Sequence, residues 1–87
     1  MDVAGPAGHA NQARELLRRG RAPRRVQRDL DRIDKPEGNP PFSQWEAHTA
    51  PGTGSPALQA NGVWKHSSGE RLGRATIEWL RSFEWRI

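Results

Sequence analysis

The chain has 87 residues, of which 33% are hydrophobic and 28% charged, and this is enough for one small domain with a modest core. It has no cysteine and no apolar run near the roughly 20 residues that a membrane-spanning helix needs, which excludes disulfide scaffolds, thiol catalysis, cysteine-ligated zinc and membrane spans. Fourteen Lys plus Arg against ten Asp plus Glu give a net charge of +4, with Arg the dominant cation, so a polyanion such as nucleic acid is the first partner to consider.

The N-terminal region is expected to join this domain to other sequence. Residues 1–8 are rich in Gly, Ala and Pro, which predicts a linker followed by a single domain over residues 9–87. The opening lacks the basic start and apolar core of a signal peptide. Because its opening resembles a linker, we expect the domain to be the tail of a larger polypeptide. Apolar residues at helical spacing then predict a first helix over residues 9–19 that ends at Gly20.

Positive charge is concentrated between residues 14 and 28, where seven Arg stand against one acid for a charge of +6. Arg24, Arg25 and Arg28 are candidates for binding phosphate, and the alternative is a solvated helix face. The pattern from Val26 to Ile33 fits two structures. Its apolar residues have helical spacing, whereas its alternation of Arg and Asp fits an exposed strand, and both stay open.

The segment over residues 42–49 predicts a β-strand that carries reactive side chains. Trp45 and Ala47 are expected to face the core, and Glu46 and His48 to share the opposite face. A carboxylate and an imidazole about 7 Å apart along a strand can serve as base and acid when RNA is cleaved by its own 2′-hydroxyl. The alternative is a solvated strand face with no chemical role.

The remaining elements complete an α+β domain. Breaker residues predict a loop over residues 34–41, and residues 57–60 and 63–67 predict a hairpin around Asn61-Gly62, a strong turn signal. Apolar residues at helical intervals predict an amphipathic helix over residues 73–83. The expected fold is an N-terminal helix, a small antiparallel sheet and a C-terminal helix.

The end of the hairpin offers further candidate residues. Lys65 and His66 are neighbours on a predicted strand and should point to opposite faces, so at most one of them faces the site of Glu46 and His48. Among the four Trp, three occupy positions typical of a core, which leaves Trp64 as the candidate for stacking on a base.

Two other functions are compatible with these residues. His48, Asn61 and His66 stand in the order His-Asn-His used by metal-dependent ββα nucleases. Asn61 is better explained by its turn with Gly62, however, and no further His or Asp adjoins His48 in sequence, so we expect no metal and no other cofactor. The second alternative is a non-catalytic module in which the Arg segment binds nucleic acid or protein.

Six segments, taken in order, form a pattern that covers roughly three quarters of the chain. They are Ala22-Pro23-Arg24, Arg32-Ile33-Asp34, Gln44-Trp45-Glu46-Ala47-His48, Ser55-Pro56-Ala57-Leu58, Asn61-Gly62-Val63-Trp64-Lys65-His66, and Glu78-Trp79-Leu80 with Trp85. With this pattern the chain resembles a C-terminal toxin module of bacterial polymorphic toxins of the Rhs and contact-dependent inhibition type. Such modules have His-x-His in the first strand and Asn-x-Asp-Gly-x-Trp-Lys-His-Gly in the hairpin. This chain differs at four of those positions, where it has Glu46, Gln59, Asn61 and Ser67.

The resemblance implies a ribonuclease with a barnase/EndoU/colicin/RelE-like fold. It implies delivery as part of a larger effector, action in the cytoplasm of the target cell on tRNA or another structured RNA, and neutralisation by a dedicated immunity protein. That protein is expected to be acidic because it must block a basic site. Carried over to this sequence, the functional positions are His48, Lys65 and His66, and Glu46 beside a histidine remains workable as a general base. The isolated domain is expected to be monomeric.

The hypothesis from sequence is therefore a metal-independent endoribonuclease toxin. Glu46 or His48 would take the 2′ proton, and the other of these two or His66 would protonate the leaving group. The candidate catalytic residues are Glu46, His48, His66 and Lys65, and the candidate substrate-binding residues are Arg24, Arg25, Arg28 and Trp64.

Overall fold

The computed structural model describes residues 6–38, 43–66 and 71–87. Their elements in chain order are α1 (Pro6–Arg18), α2 (Arg24–Asp29), β1 (Arg32–Asp34), β2 (Glu46–His48), β3 (Ala57–Gln59), β4 (Trp64–Lys65) and α3 (Arg74–Ser82). The strands form one antiparallel sheet in the order β1-β2-β3-β4. The predicted α+β class is confirmed. None of the described helices is long and apolar enough to cross a bilayer.

Helix α1 ends where the sequence predicts and begins earlier. Gly20 adopts a left-handed φ of +68°, and the backbone N–H groups of Gly20 and Arg21 donate to the carbonyls of Leu17 and Leu16 at 3.1 and 2.8 Å. This pair of bonds is a Schellman C-cap. The predicted linker over residues 1–8 is wrong at its end, because the helix starts at Pro6, a residue well suited to the first helical position. Residues 1–5 lie outside the described residues.

The segment from Val26 to Ile33, which fits both a helix and a strand, contains one of each. Helix α2 ends at Asp29, the next residue, Leu30, is extended at φ −119° and ψ 133°, and β1 begins at Arg32. Val26, Leu30 and Ile33 are all buried, so the apolar residues of the helix and of the strand enter the same core. The predicted loop from residue 34 starts one residue later, since Asp34 still belongs to β1.

The sheet register separates an apolar face from a polar one. Ala47 at the centre of β2 pairs with Ile33 of β1 and Leu58 of β3, and Leu58 pairs with Trp64 of β4. The predicted hairpin around Asn61-Gly62 is confirmed. Strand β2 is shorter than the predicted strand over residues 42–49, and residue 42 of that strand and residue 67 of the predicted hairpin lie outside the described residues.

One core lies on the apolar face of the sheet. All three helices contribute to it, and its buried members are Ala10, Ala13, Leu17, Ala22, Val26, Leu30, Ile33, Ala47, Leu58, Leu80 and Trp85. Trp85 follows α3, and its indole N–H donates to the carbonyl of Leu58 at 3.0 Å. Trp45 and Trp79 pack against the same core, as predicted. The opposite face of the sheet carries charged and titratable side chains.

Candidate functional site

The antiparallel register brings five charged or titratable side chains to the polar face of the sheet. Because side chains alternate between faces, residues that flank the buried centres of β1 and β2 share the other face. The pairs are Arg32 opposite His48 and Asp34 opposite Glu46. Lys65 pairs with Ala57, which pairs with His48. We call these residues the sheet-face cluster: Arg32, Asp34, Glu46, His48 and Lys65.

His48 is the buried centre of the sheet-face cluster, with only 2% of its surface exposed. Its Nε2 atom lies 3.2 Å from Oε1 of Glu46 and 3.2 Å from Oδ2 of Asp34, and its Nδ1 atom lies 2.8 Å from the hydroxyl of Ser55. The alternative of a solvated strand face is therefore wrong for His48. The spacing of about 7 Å along the strand narrows to hydrogen-bond distance because the two side chains of β2 lean together.

Glu46 joins the histidine to a lysine. While Oε1 faces His48, Oε2 accepts a hydrogen bond from Nζ of Lys65 at 3.0 Å. This hydrogen bond, together with the charge of Glu46, raises the pKa of Lys65 above its ordinary value. The side chain of Glu46 is 15% exposed and that of Lys65 is 41% exposed, so both can reach a molecule bound on the sheet.

Arg32 anchors the cluster to the loop over residues 49–56. Its guanidinium donates to the carboxylates of Asp31 and Asp34 at 3.0 and 3.2 Å, and to the carbonyls of Ala50 and Gly52 at 3.3 and 3.0 Å. Burial lowers the pKa of Arg32, but the hydrogen bond with Asp31 and the charge of Asp34 outweigh it, and the net pKa is raised. The guanidinium therefore stays charged and fixes the loop beside His48.

Arg32, Asp34 and Ser55 contact the site but are not among the residues predicted from sequence. A signal for the first two existed in the Arg and Asp alternation before and within β1, and all three fall in segments that carry the family resemblance. The sequence does not reveal that β1 pairs with β2 in the register that sets Asp34 opposite Glu46.

Two predicted site residues lie away from the sheet-face cluster. His66 is exposed just after β4, with a φ of +71°, so the alternation that holds through Lys65 does not continue to it. Trp64 pairs with Leu58 on the apolar face and packs against the core. Of the two hairpin neighbours, Lys65 is thus the one that joins Glu46 and His48.

The predicted phosphate-binding arginines are exposed on α2. Arg25 and Arg28 line a surface depression of about 410 Å³ together with Arg74 at the start of α3. Arg28 also borders a second depression, of about 280 Å³, whose lining includes Asp31 and Thr49, the neighbours in sequence of Arg32 and His48. The basic surface of α2 therefore extends toward the loop beside the cluster.

Asp34, Glu46 and His48 are the described residues that could hold a metal ion, since their ligand atoms all lie within 4.8 Å of one another. Arg32 and Lys65 already bind the two carboxylates, which reduces the attraction of the set for a divalent cation. The arrangement is better described as an ion-pair network than as a ligand set.

The His-Asn-His alternative is not assembled by the described residues. The side-chain oxygen of Asn61 accepts a hydrogen bond from the backbone N–H of Val63 at 3.0 Å, which is a turn interaction. His48 lies on the polar sheet face and His66 lies beyond the end of β4. In this geometry Asn61 has a structural role in the turn of the hairpin.

The cluster combines the groups that acid–base chemistry at a phosphate needs. Glu46 and Asp34 are partly accessible carboxylates, Lys65 is a partly accessible cation, and His48 contacts both carboxylates. Comparisons with protein-family models, curated proteins and solved structures gave no match. The case for a function therefore rests on this geometry and on the sequence resemblance.

Proposed function

We propose that the domain is a metal-independent endoribonuclease toxin whose reaction takes place on the sheet-face cluster. The observation that carries the proposal is the position of Glu46, which lies 3.2 Å from Nε2 of His48 and 3.0 Å from Nζ of Lys65. A base that touches both a proton-carrying imidazole and a phosphate-binding cation fits the cleavage of RNA by its 2′-hydroxyl.

Glu46 is the general base in this proposal. Its carboxylate removes the proton from the 2′-hydroxyl, the 2′ oxygen bonds to phosphorus, and the bond from phosphorus to the 5′ oxygen breaks. Lys65 lies beside Glu46 and stabilises the negative charge on the phosphate oxygens. The products are a 2′,3′-cyclic phosphate and a 5′-hydroxyl.

His48 acts through its carboxylate neighbours, because a side chain with 2% exposure does not reach the substrate itself. The sequence alone predicts direct proton transfer between His48 and the RNA, and the burial of His48 changes that prediction. Its Nε2 atom lies at equal distances from Glu46 and from Asp34, whose side chain is 44% exposed. Nε2 gives its proton through Asp34 to the leaving 5′ oxygen and takes up the proton that Glu46 has removed, which balances the reaction.

The exposed arginines of α2 bind the RNA backbone in this proposal. Arg24, Arg25 and Arg28 carry no ion pair within the described part of the chain, whereas the cations of the cluster are paired with acids. Contacts to phosphate oxygens give affinity without sequence preference, which suits a structured RNA such as tRNA. Delivery within a larger effector, action in the target-cell cytoplasm and an acidic immunity protein complete the proposal, on the strength of the sequence resemblance.

Incubation of the purified domain with total bacterial RNA in EDTA tests the proposed reaction. We expect discrete fragments that end in 2′,3′-cyclic phosphate, and no cleavage of DNA of matched sequence because DNA lacks the 2′-hydroxyl. RNA that stays intact in EDTA and is cleaved only after Mg²⁺ or Zn²⁺ is added would favour the metal-dependent nuclease. Intact RNA that is bound in a salt-dependent manner would favour the binding module.

A further inference from the structure

The depression of about 410 Å³ between helices α2 and α3 lies outside the sheet-face cluster. Three guanidinium groups line it, those of Arg25 and Arg28 from α2 and that of Arg74 from the start of α3. A spacing of three residues sets Arg25 and Arg28 on the same face of α2. Two helices therefore present cations to one concave surface.

Asp29 fixes the two helices to each other at this depression. Its Oδ2 atom accepts hydrogen bonds from the backbone N–H of Gly73 at 2.9 Å and from the hydroxyl of Thr76 at 2.6 Å. Thr76 is fully buried, so the contact belongs to the packed interface between α2 and α3. The arginines of the two helices are therefore held at fixed positions relative to each other along the backbone.

The three guanidinium groups are available to a ligand. Arg25 stands four residues before Asp29, a spacing at which an ion pair commonly forms on a helix. The carboxylate of Asp29 is bonded to α3 instead, and neither Arg25 nor Arg28 forms an ion pair with another residue in the part of the chain that the structure describes. Arg74 contacts Glu78 at 3.4 Å, but the two side chains are 92% and 62% exposed, and such a pair is weak in water.

We propose that Arg25, Arg28 and Arg74 together form one binding site for a backbone phosphate of the RNA. The identity of the ligand rests on the proposed ribonuclease function, whereas the three-arginine site itself does not. A guanidinium donates two parallel hydrogen bonds to phosphate oxygens, and three guanidiniums around one depression match a group that carries its charge on several oxygens. Arg74 of α3 thus joins the arginines of α2 in holding the substrate.

Arg28 connects this phosphate site to the surface beside the proposed catalytic groups. It also lines the depression of about 280 Å³ that includes Asp31 and Thr49. Thr49 directly follows His48 in the sequence. An RNA strand with a phosphate among the three arginines can therefore continue past Arg28 toward the sheet-face cluster, so that the site anchors the substrate away from the reacting atoms.

Salt-dependent binding of an uncleavable RNA tests the phosphate site. The probe is a fluorescent single-stranded RNA with methylated 2′ oxygens, which lacks the nucleophile and keeps every phosphate. Each phosphate contact contributes about 0.7 to the slope of the logarithm of the binding constant against the logarithm of the salt concentration. We expect Arg74→Gln and Arg25→Gln each to reduce the slope by about 0.7 and to weaken binding at least about threefold, and Arg74→Lys, which keeps the charge, to retain the slope.

Arg21→Gln is the matched control, because Arg21 is exposed and lines a different depression. It removes the same charge and should change the slope by less than about 0.3. An Arg74→Gln slope equal to that of Arg21→Gln would overturn the proposal, because the phosphate would then be bound without α3. Tighter binding of polyglutamate than of the RNA would overturn it in favour of an acidic protein surface as the ligand.

The same variants separate this site from the ribonuclease function. If the methylated RNA is bound through Arg74 but unmethylated RNA is not cleaved, the proposed function fails and the phosphate site stands. If unmethylated RNA is cleaved but the slope does not depend on Arg74, the proposed function stands and the phosphate site fails.

Discussion

The contact between Lys65 and Glu46 can be tested by measuring the pKa of Lys65. Because Glu46 accepts a hydrogen bond from Lys65 and adds its charge, the pKa of Lys65 is raised. In a Lys35→Arg background Lys65 is the sole lysine, so its side-chain NMR signals report one titration. We expect a pKa above the value of about 10.4 for an unfolded lysine, and a lower pKa in the same background with Glu46→Gln.

The raised pKa of Lys65 also determines the direction in which the folding stability changes with pH. A cation with a folded-state pKa above its unfolded value stabilises the fold at all pH values below the unfolded pKa, and this contribution is lost as pH rises through the folded pKa. The stability difference between the Lys35→Arg protein and its Glu46→Gln variant should therefore shrink above about pH 10.4. An unchanged lysine pKa after Glu46→Gln would show that the two side chains do not interact in solution.

Local sequence patterns reveal some residues of the sheet-face cluster but not others. Glu46 and His48 follow from strand alternation, and Lys65 follows from the hairpin signal that precedes it. Asp34 joins them only through pairing between strands that are twelve residues apart, for which the sequence has no local signal. Strand alternation sets His66 on the face opposite to Lys65, and which of the two joins the cluster depends on the pairing of β4 with β3, for which the sequence has no local signal.

At the scale of elements, the turn of the hairpin depends on a close backbone approach. Gly62 has a φ of +92°, and a Cβ atom built on it would lie 2.6 Å from the carbonyl oxygen of Arg86 in the C-terminal segment. Arg86 is held there because its N–H donates to the carbonyl of Ala60 at 2.8 Å. The hairpin and the C-terminal segment therefore share a contact that leaves no space for a side chain.

We expect Gly62→Ala to destabilise the domain more than Gly38→Ala. Both positions have a positive φ and incur the strain of a left-handed residue, about 1 kcal/mol, but a Cβ on Gly38 meets nothing within 4 Å. The clash at Gly62 should bring its loss of unfolding free energy to at least about 2 kcal/mol, as measured by urea denaturation. Equal losses in the two variants would mean that the C-terminal segment does not pack on the turn.

Elements with strong local signals follow from the sequence, and elements whose pattern fits two structures do not. Helix α3 and the hairpin follow from apolar periodicity and from Asn61-Gly62. Helix α2 and β1 together occupy a segment whose apolar residues fit either structure, and the change at Leu30 depends on pairing with β2 rather than on local preference.

At the scale of the whole molecule, positive charge and reactive groups occupy different surfaces. The sheet-face cluster with Asp31 contains two permanent cations and three carboxylates, so its charges are largely paired internally. Glu15 of α1 is surrounded by the side chains of Arg14 and Arg18 on the same helix and of Arg19 directly after it, and the hydrogen bond from Arg18 lowers the pKa of that carboxyl. In the proposed function, the unpaired positive charge of α2 attracts RNA, while the sheet supplies the catalytic groups.

The proposed role of Glu46, on the polar sheet face, is that of the base in RNA cleavage. Its most direct test is the single-turnover cleavage rate, in EDTA, of Glu46→Gln against Glu78→Gln, an exposed position on α3 that loses the same charge. We expect the Glu46→Gln rate to fall by about 100-fold or more and the Glu78→Gln rate to stay within about twofold of the unmodified protein, provided that thermal unfolding shows all three to be folded. A folded Glu46→Gln variant that cleaves RNA as fast as Glu78→Gln would show that Glu46 is not the base.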